Sequence, residues 1–157
     1  MDFRERRFQG YRQLLKKSPG SEKSGAFYVF KFELANMMKE ILLVGAGSFL
    51  GGVARYLVAL AMKGMPTVLP WATLTVNIAG CFLIGVFWAM FCRGFGNSSM
   101  HLFLTAGFCG GFTTFSAFSK ESVLLLQSGN YTAFLLYVLG SAVFGIFAVM
   151  AGFVLAK

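Results

Sequence analysis

The chain has 157 residues, 57% hydrophobic and only 13% charged, with a net charge of +8, where a soluble domain carries about 25% charged residues. Residues 1–40 hold nine Lys/Arg and five Asp/Glu, whereas residues 41–157 hold five Lys/Arg and a single acid, Glu121. That leaves no carboxylate pair for acid–base catalysis, and Cys81, Cys92 and Cys109, with no CxxC spacing and one His in the chain (His101), imply neither a zinc centre nor a disulfide framework.

Residues 1–36 are a basic N-terminal extension carrying Arg4, Arg6, Arg7, Arg12, Lys16 and Lys17, turn-prone at Ser18–Gly25. One reading is a disordered or surface-lying cationic segment drawn to anionic lipid. Pro19 and Gly20 leave no folded basic face or aromatic platform, so no nucleic-acid partner is expected. The other reading makes the extension a start-site artefact, with translation beginning at Met37 or Met38 ahead of Lys39-Glu40-Ile41-Leu42-Leu43. Either way residues 37–157 form the membrane domain.

Four apolar stretches follow: Ile41–Met62, Trp71–Cys92, Leu102–Gln127 and Tyr131–Ala156. Each exceeds the roughly 20 helical residues that cross a hydrocarbon core, and lipid selects helices because every backbone amide must be paired within the element. Short connections hold the turn residues Gly64, Pro66, Pro70, Gly94, Gly96, Asn97 and Gly129. Trp71 and Tyr131 open their helices where amphipathic rings favour the headgroup layer. Gly45, Gly51, Gly52, Gly80, Gly85, Gly140, Gly145 and Gly152 are expected to let helices approach closely. Residues 45–51, Gly-Ala-Gly-Ser-Phe-Leu-Gly, miss the dinucleotide spacing by one place and follow no strand.

The third stretch carries the chemistry. Residues 105–121 read Thr-Ala-Gly-Phe-Cys-Gly-Gly-Phe-Thr-Thr-Phe-Ser-Ala-Phe-Ser-Lys-Glu. Gly107, Gly110 and Gly111 are poor helix formers, and Thr113, Thr114, Ser116 and Ser119 follow; a break in mid-membrane is tolerated only where it is buried in protein or lines a polar cavity. Phe112, Phe115 and Phe118, spaced by three, are expected to form one stripe. It packs in the core or against lipid, or it turns positive ring edges towards a small anion.

This stretch resembles the signature of the fluoride channel family, the Fluc/CrcB proteins. Gly51-Gly52-Val53-Ala54-Arg55-Tyr56 is similar to the family's first-helix motif, Thr73–Gly80 around Asn77 to the second, and Gly110–Ser119 followed by Glu121 to the third. The likeness covers about residues 38–157. It implies an all-α membrane protein of four transmembrane helices with a broken third helix, assembled as an antiparallel, dual-topology homodimer in a bacterial plasma membrane. The implied activity is passive, fluoride-selective export, with no enzymatic chemistry.

By the same resemblance, Asn77 offers its amide to fluoride, and Phe115 and Phe118 offer ring edges. Thr114, Ser116 and Tyr137 belong to a hydroxyl track, with Ser141 a weaker member and Glu121 near its end, while Arg55 draws anions into a vestibule. Gly110 and Thr113 lend backbone carbonyls to a structural Na+ shared by the two subunits. Ala117 departs from the family's usual Thr or Ser. Charge departs too: with residues 1–36 the positive-inside bias sends every copy the same way, whereas Lys39, Lys63, Arg93, Lys120 and Lys157 alone are spread over both sides, which favours the later start.

Rival readings come from other classes. A small dual-topology multidrug-type proton-coupled exporter wants an acid within the first span, and Ile41–Met62 has none. An intramembrane Ser–Lys hydrolase would use Ser116 and Lys120, four apart on one helix. A purely structural subunit does not account for the polar, broken third span.

Overall fold

The computed structural model describes residues 22–64 and 68–157. Residues 1–21, with Arg4 to Lys17, and Pro66 in the first connection lie outside the described residues. Two units divide the chain, Met1–Ile41 and Leu42–Lys157.

Helix α1 (Glu22–Ala61) starts well before Ile41, so the residues from Glu22 onward that were expected to turn are helical. Residues 27–41 contain neither Gly nor Pro and are supplied with Leu, Met, Ala, Glu and Lys, the better helix formers. The second unit holds the remainder of α1, then α2 (Trp71–Cys92), α3 (Ser98–Leu102), a π-helical segment (Phe103–Cys109), α4 (Gly110–Phe112), α5 (Phe115–Gln127) and α6 (Tyr131–Leu155). The described residues contain no strand. Four helical stretches are long and apolar enough to cross a membrane: Phe27–Ala61, Trp71–Cys92, Ser98–Gln127 and Tyr131–Leu155. The chain reverses after α2 through Gly94 and Gly96, at φ +77° and +82°, a conformation that costs glycine nothing. Asn97 then caps α3 by accepting from the Met100 amide.

Close helix contact rests on some of the expected glycines. A Cβ at Gly85 would strike the backbone of Val149, and one at Gly152 that of Phe82. Gly145 faces the Cys81 thiol, and the Trp88 and Phe153 rings meet at 4.7 Å. The pairs 81–145, 85–149 and 88–153 advance together, so α2 and α6 run parallel. Gly47 and Gly51 in α1 abut the backbone of the third span at Phe103, Phe108 and Phe112. Gly45 has nothing nearby, and Gly140 meets only Phe144 of its own helix. Gly52 meets only the Arg55 guanidinium. These three serve no contact with another helix among the described residues.

The buried apolar core is small: Val76, Ala89, Cys109, Phe112, Leu125 and Tyr137. Large apolar side chains such as Phe144, Phe147 and Val154 are exposed instead. Such a surface suits a hydrocarbon solvent, in which apolar side chains need no shelter.

Candidate ion pathway at the broken third span

The third span breaks at Thr113 and Thr114, both extended, at φ −81°, ψ 157° and φ −148°, ψ 112°. Of the glycines and threonines among which the break was expected, the threonines carry it. Gly110 and Gly111 remain helical within α4, and Gly107 and Gly111 serve close packing against Gly47 and Ser48 of α1. The local signal is instead the pair of β-branched threonines. Thr114 caps α5, its hydroxyl accepting from the Ala117 amide at 3.2 Å.

Asn77 of α2 takes over the partners that the break strands. The Thr114 amide donates to Asn77 Oδ1 at 2.8 Å, and Asn77 Nδ2 donates to the Thr114 carbonyl at 3.2 Å. An amide side chain thus stands in for the missing turn of backbone. An amide nitrogen has two donors, so this pairing fixes Asn77 and leaves it one more N–H.

The same bonds redirect the donors of two carbonyls. In an unbroken helix the Thr114 amide would go to the Gly110 carbonyl and the Ala117 amide to that of Thr113. They go to Asn77 and to the Thr114 hydroxyl instead. Gly110 and Thr113 are the two residues for which the resemblance implies a cation. A pair of carbonyl oxygens relieved of their helical donors, with no carboxylate beside them, is chemically suited to a hard monovalent ion. Thr113 is held by α2, where a Cβ at Gly80 would collide with its methyl group.

Beyond the break, Glu121 is bound on both oxygens. Thr73, which the sequence reading assigned no role, donates to Oε1 at 2.8 Å, and Tyr137 donates to Oε2 at 2.7 Å. Thr73 and Tyr137 are buried, at 7% and 1% exposure. The signs of Thr73 in the sequence were its place at the head of the second-helix motif and one helical turn before Asn77. Both hydroxyl protons are committed to Glu121, so neither is offered elsewhere in this arrangement. Ser141, one turn further along α6 than Tyr137, keeps a buried hydroxyl with no partner.

The phenylalanines do not form one stripe. The break separates Phe112, buried and stacked on Phe108 at 5.8 Å, from the other two. Phe115, Phe118 and Tyr137 make their own row, with ring centroids 5.8 and 5.1 Å apart. Phe115 is 80% exposed at its outer end. The Thr114 and Ser116 hydroxyls lie 3.3 Å apart. The Ser116 hydroxyl has Thr114 as its partner, and no hydrogen bond joins it to Lys120 among the described residues. Arg55 stands apart on α1, half-buried and without a hydrogen bond to any of these residues.

Residues 42–153 match the family described as CrcB-like protein, Camphor Resistance (CrcB). A Phocaeicola vulgatus protein named Fluoride-specific ion channel FluC is 49% identical over 116 residues, 73% of this chain and 96% of its own length. Proteins of the same name from Chlorobium chlorochromatii and Bacteroides fragilis are 48% and 44% identical, over 118 and 119 residues. The match spans all four apolar helices, and the chain is a multi-pass membrane protein that belongs to the CrcB-like family.

Proposed function

We propose that this chain is a fluoride-selective channel, which lets the ion leave the cell passively through the bacterial plasma membrane and has no enzymatic activity. The observation that carries the reading is the Asn77–Thr114 pairing at a mid-span break, flanked by the Phe115–Phe118–Tyr137 row. Moving a small ion into a low-dielectric medium has an idealised cost of order 20 kcal/mol, and one hydrogen bond to a charged group returns about 1.5–3 kcal/mol. Several weak donors in series are needed, and weak sites also let the ion leave. The second N–H of Asn77, the Thr114 and Ser116 hydroxyls and the positive ring edges of Phe115 and Phe118 supply such a series. A single acid in residues 41–157, with both oxygens bound, leaves little to repel an anion.

The working unit is an antiparallel homodimer. Phe115, Ser116 and Gly110 are exposed on one chain, as residues awaiting a second copy would be. Gly110 and Thr113 would hold a structural Na+ through their carbonyls, and the ion would supply a fixed positive charge beside the pathway. Arg55 acts at a distance, as a vestibule charge. A proton-coupled exporter is disfavoured because the acid of the site, Glu121, lies in the third span and not in the first.

Replacing Phe115 by Ile keeps the volume apolar and removes the ring edge, so fluoride efflux from liposomes is expected to collapse while the protein remains folded. Unchanged efflux would remove the aromatic row from the pathway. Tyr137→Phe keeps the ring that packs on Phe118 but deletes the donor to Glu121. Losing one hydrogen bond to a charged group, about 1.5–3 kcal/mol, is expected to slow efflux about tenfold, read in the same assay.

A further inference from the structure

The parallel helices α2 and α6 end side by side, at Cys92 and Leu155. At these ends lies a hollow of about 380 Å³, lined by Met90, Arg93, Gly94, Phe95 and Ala156. No residue assigned to the ion pathway lines it. Arg93 follows the last turn of α2 and reaches across to α6, where Nη1 donates to the backbone oxygens of Ala156 and Lys157 at 3.2 and 2.9 Å. These bonds fix the guanidinium and use both protons of that nitrogen. A guanidinium has five N–H donors, so those on Nε and Nη2 remain, and they make no hydrogen bond among the described residues. A held fork of this kind matches a phosphate bidentately.

Charge and lining name its occupant. Within Leu42–Lys157 the single acid is Glu121, bound by Thr73. Thr73 stands 20 residues before Arg93 on α2, about 30 Å along a helix. Arg93 and Lys157 therefore leave a positive excess at this end, more than one terminal carboxylate at Lys157 would offset. The other walls are apolar: Met90, Ala156 and Phe95, which is 55% exposed. Trp88, exposed one to two turns earlier on α2, suits the headgroup layer of a bilayer. A free anion gains nothing from apolar walls, whereas a phospholipid brings a phosphate for the fork and hydrocarbon for Met90 and Phe95. We propose that this hollow binds the headgroup of an anionic phospholipid, with the lipid phosphate on Arg93.

The test uses the purified full chain in detergent with equal phosphatidylglycerol and phosphatidylcholine, and counts bound lipid by native mass spectrometry. The parent is expected to retain phosphatidylglycerol about fivefold over phosphatidylcholine, since a cation at the headgroup layer attracts anionic lipid. Arg93→Gln removes the fork. Ala156→Leu fills the hollow but spares the backbone oxygen that Arg93 binds. Each should bring the ratio near one. Lys63→Gln removes an equal charge just after α1 and should leave the ratio unchanged, and millimolar inorganic phosphate should not displace the lipid. No preference in the parent, or a preference kept by either hollow variant, would overturn the site. An equal loss in Lys63→Gln would reduce the effect to general charge, and displacement by inorganic phosphate would make the ligand a free anion; either result overturns the proposal as well.

Discussion

Asn77→Asp is expected to reduce fluoride efflux from liposomes about a hundredfold or more. The substitution is nearly isosteric, so the consequence is electronic. A carboxylate still accepts the Thr114 amide, now held at 2.8 Å. It has no proton to give the Thr114 carbonyl, now bound at 3.2 Å. A buried acceptor left without its donor costs about 1–3 kcal/mol, and the carboxylate adds an unpaired negative charge beside the route of an anion. Each 1.36 kcal/mol added to a barrier is a factor of ten, so the two effects together pass a hundredfold. Far-ultraviolet circular dichroism in detergent checks that the helices survive. Efflux within twofold of the parent chain would mean that Asn77 does not meet the ion.

The second large effect is structural, and adjacent glycines divide it. A Cβ at Gly111 would enter the backbone of Ser48 in α1. Backbone cannot rotate away, so α1 and the break must separate. Overpacking costs about 1–3 kcal/mol where side chains can yield, and Gly111→Ala is expected to reach about 3 kcal/mol because none can. Thermal unfolding in detergent should show a clear loss of stability. Gly110→Ala is the comparison: a Cβ there meets nothing, and Ala favours the helix by roughly 1 kcal/mol over Gly. Within one chain it should therefore fold at least as well as the parent, and any loss would come from the face offered to the second copy. Equal behaviour of the two variants would contradict the packing of α1 against the third span.

The spans were legible because hydrocarbon imposes a length and a composition on any helix that crosses it. Trp71–Cys92 was expected and found at the same limits, and Tyr131–Leu155 differs by one residue. The break was legible in kind but not in cause. Glycines followed at once by threonines suggested a rupture somewhere in Gly107–Thr114; Gly111, packed on Ser48, stays helical, and the threonines make the break. Propensity is local, whereas the contact of Gly111 with Ser48 joins residues 63 apart in sequence. The phenylalanine stripe failed for the same reason, since periodicity of three has meaning only while the helix continues. Thr73 was missed because its role is set by Glu121, 48 residues away. The long start of α1 was hidden by the turn residues around Ser18–Gly25. Asn77, Phe115, Phe118 and Tyr137 came from resemblance, and the geometry joins each of them to the break or to the aromatic row beyond it.

The central claim is selectivity for a small anion through a pathway of amides, hydroxyls and ring edges. Its most direct measurement is ion release from liposomes containing the full chain and loaded with equal fluoride and chloride, followed by one electrode for each ion after a potassium ionophore sets the potential. Fluoride is expected to empty rapidly and without a proton gradient, while chloride stays inside. Rapid chloride release, or fluoride release that requires a proton gradient, would contradict the account.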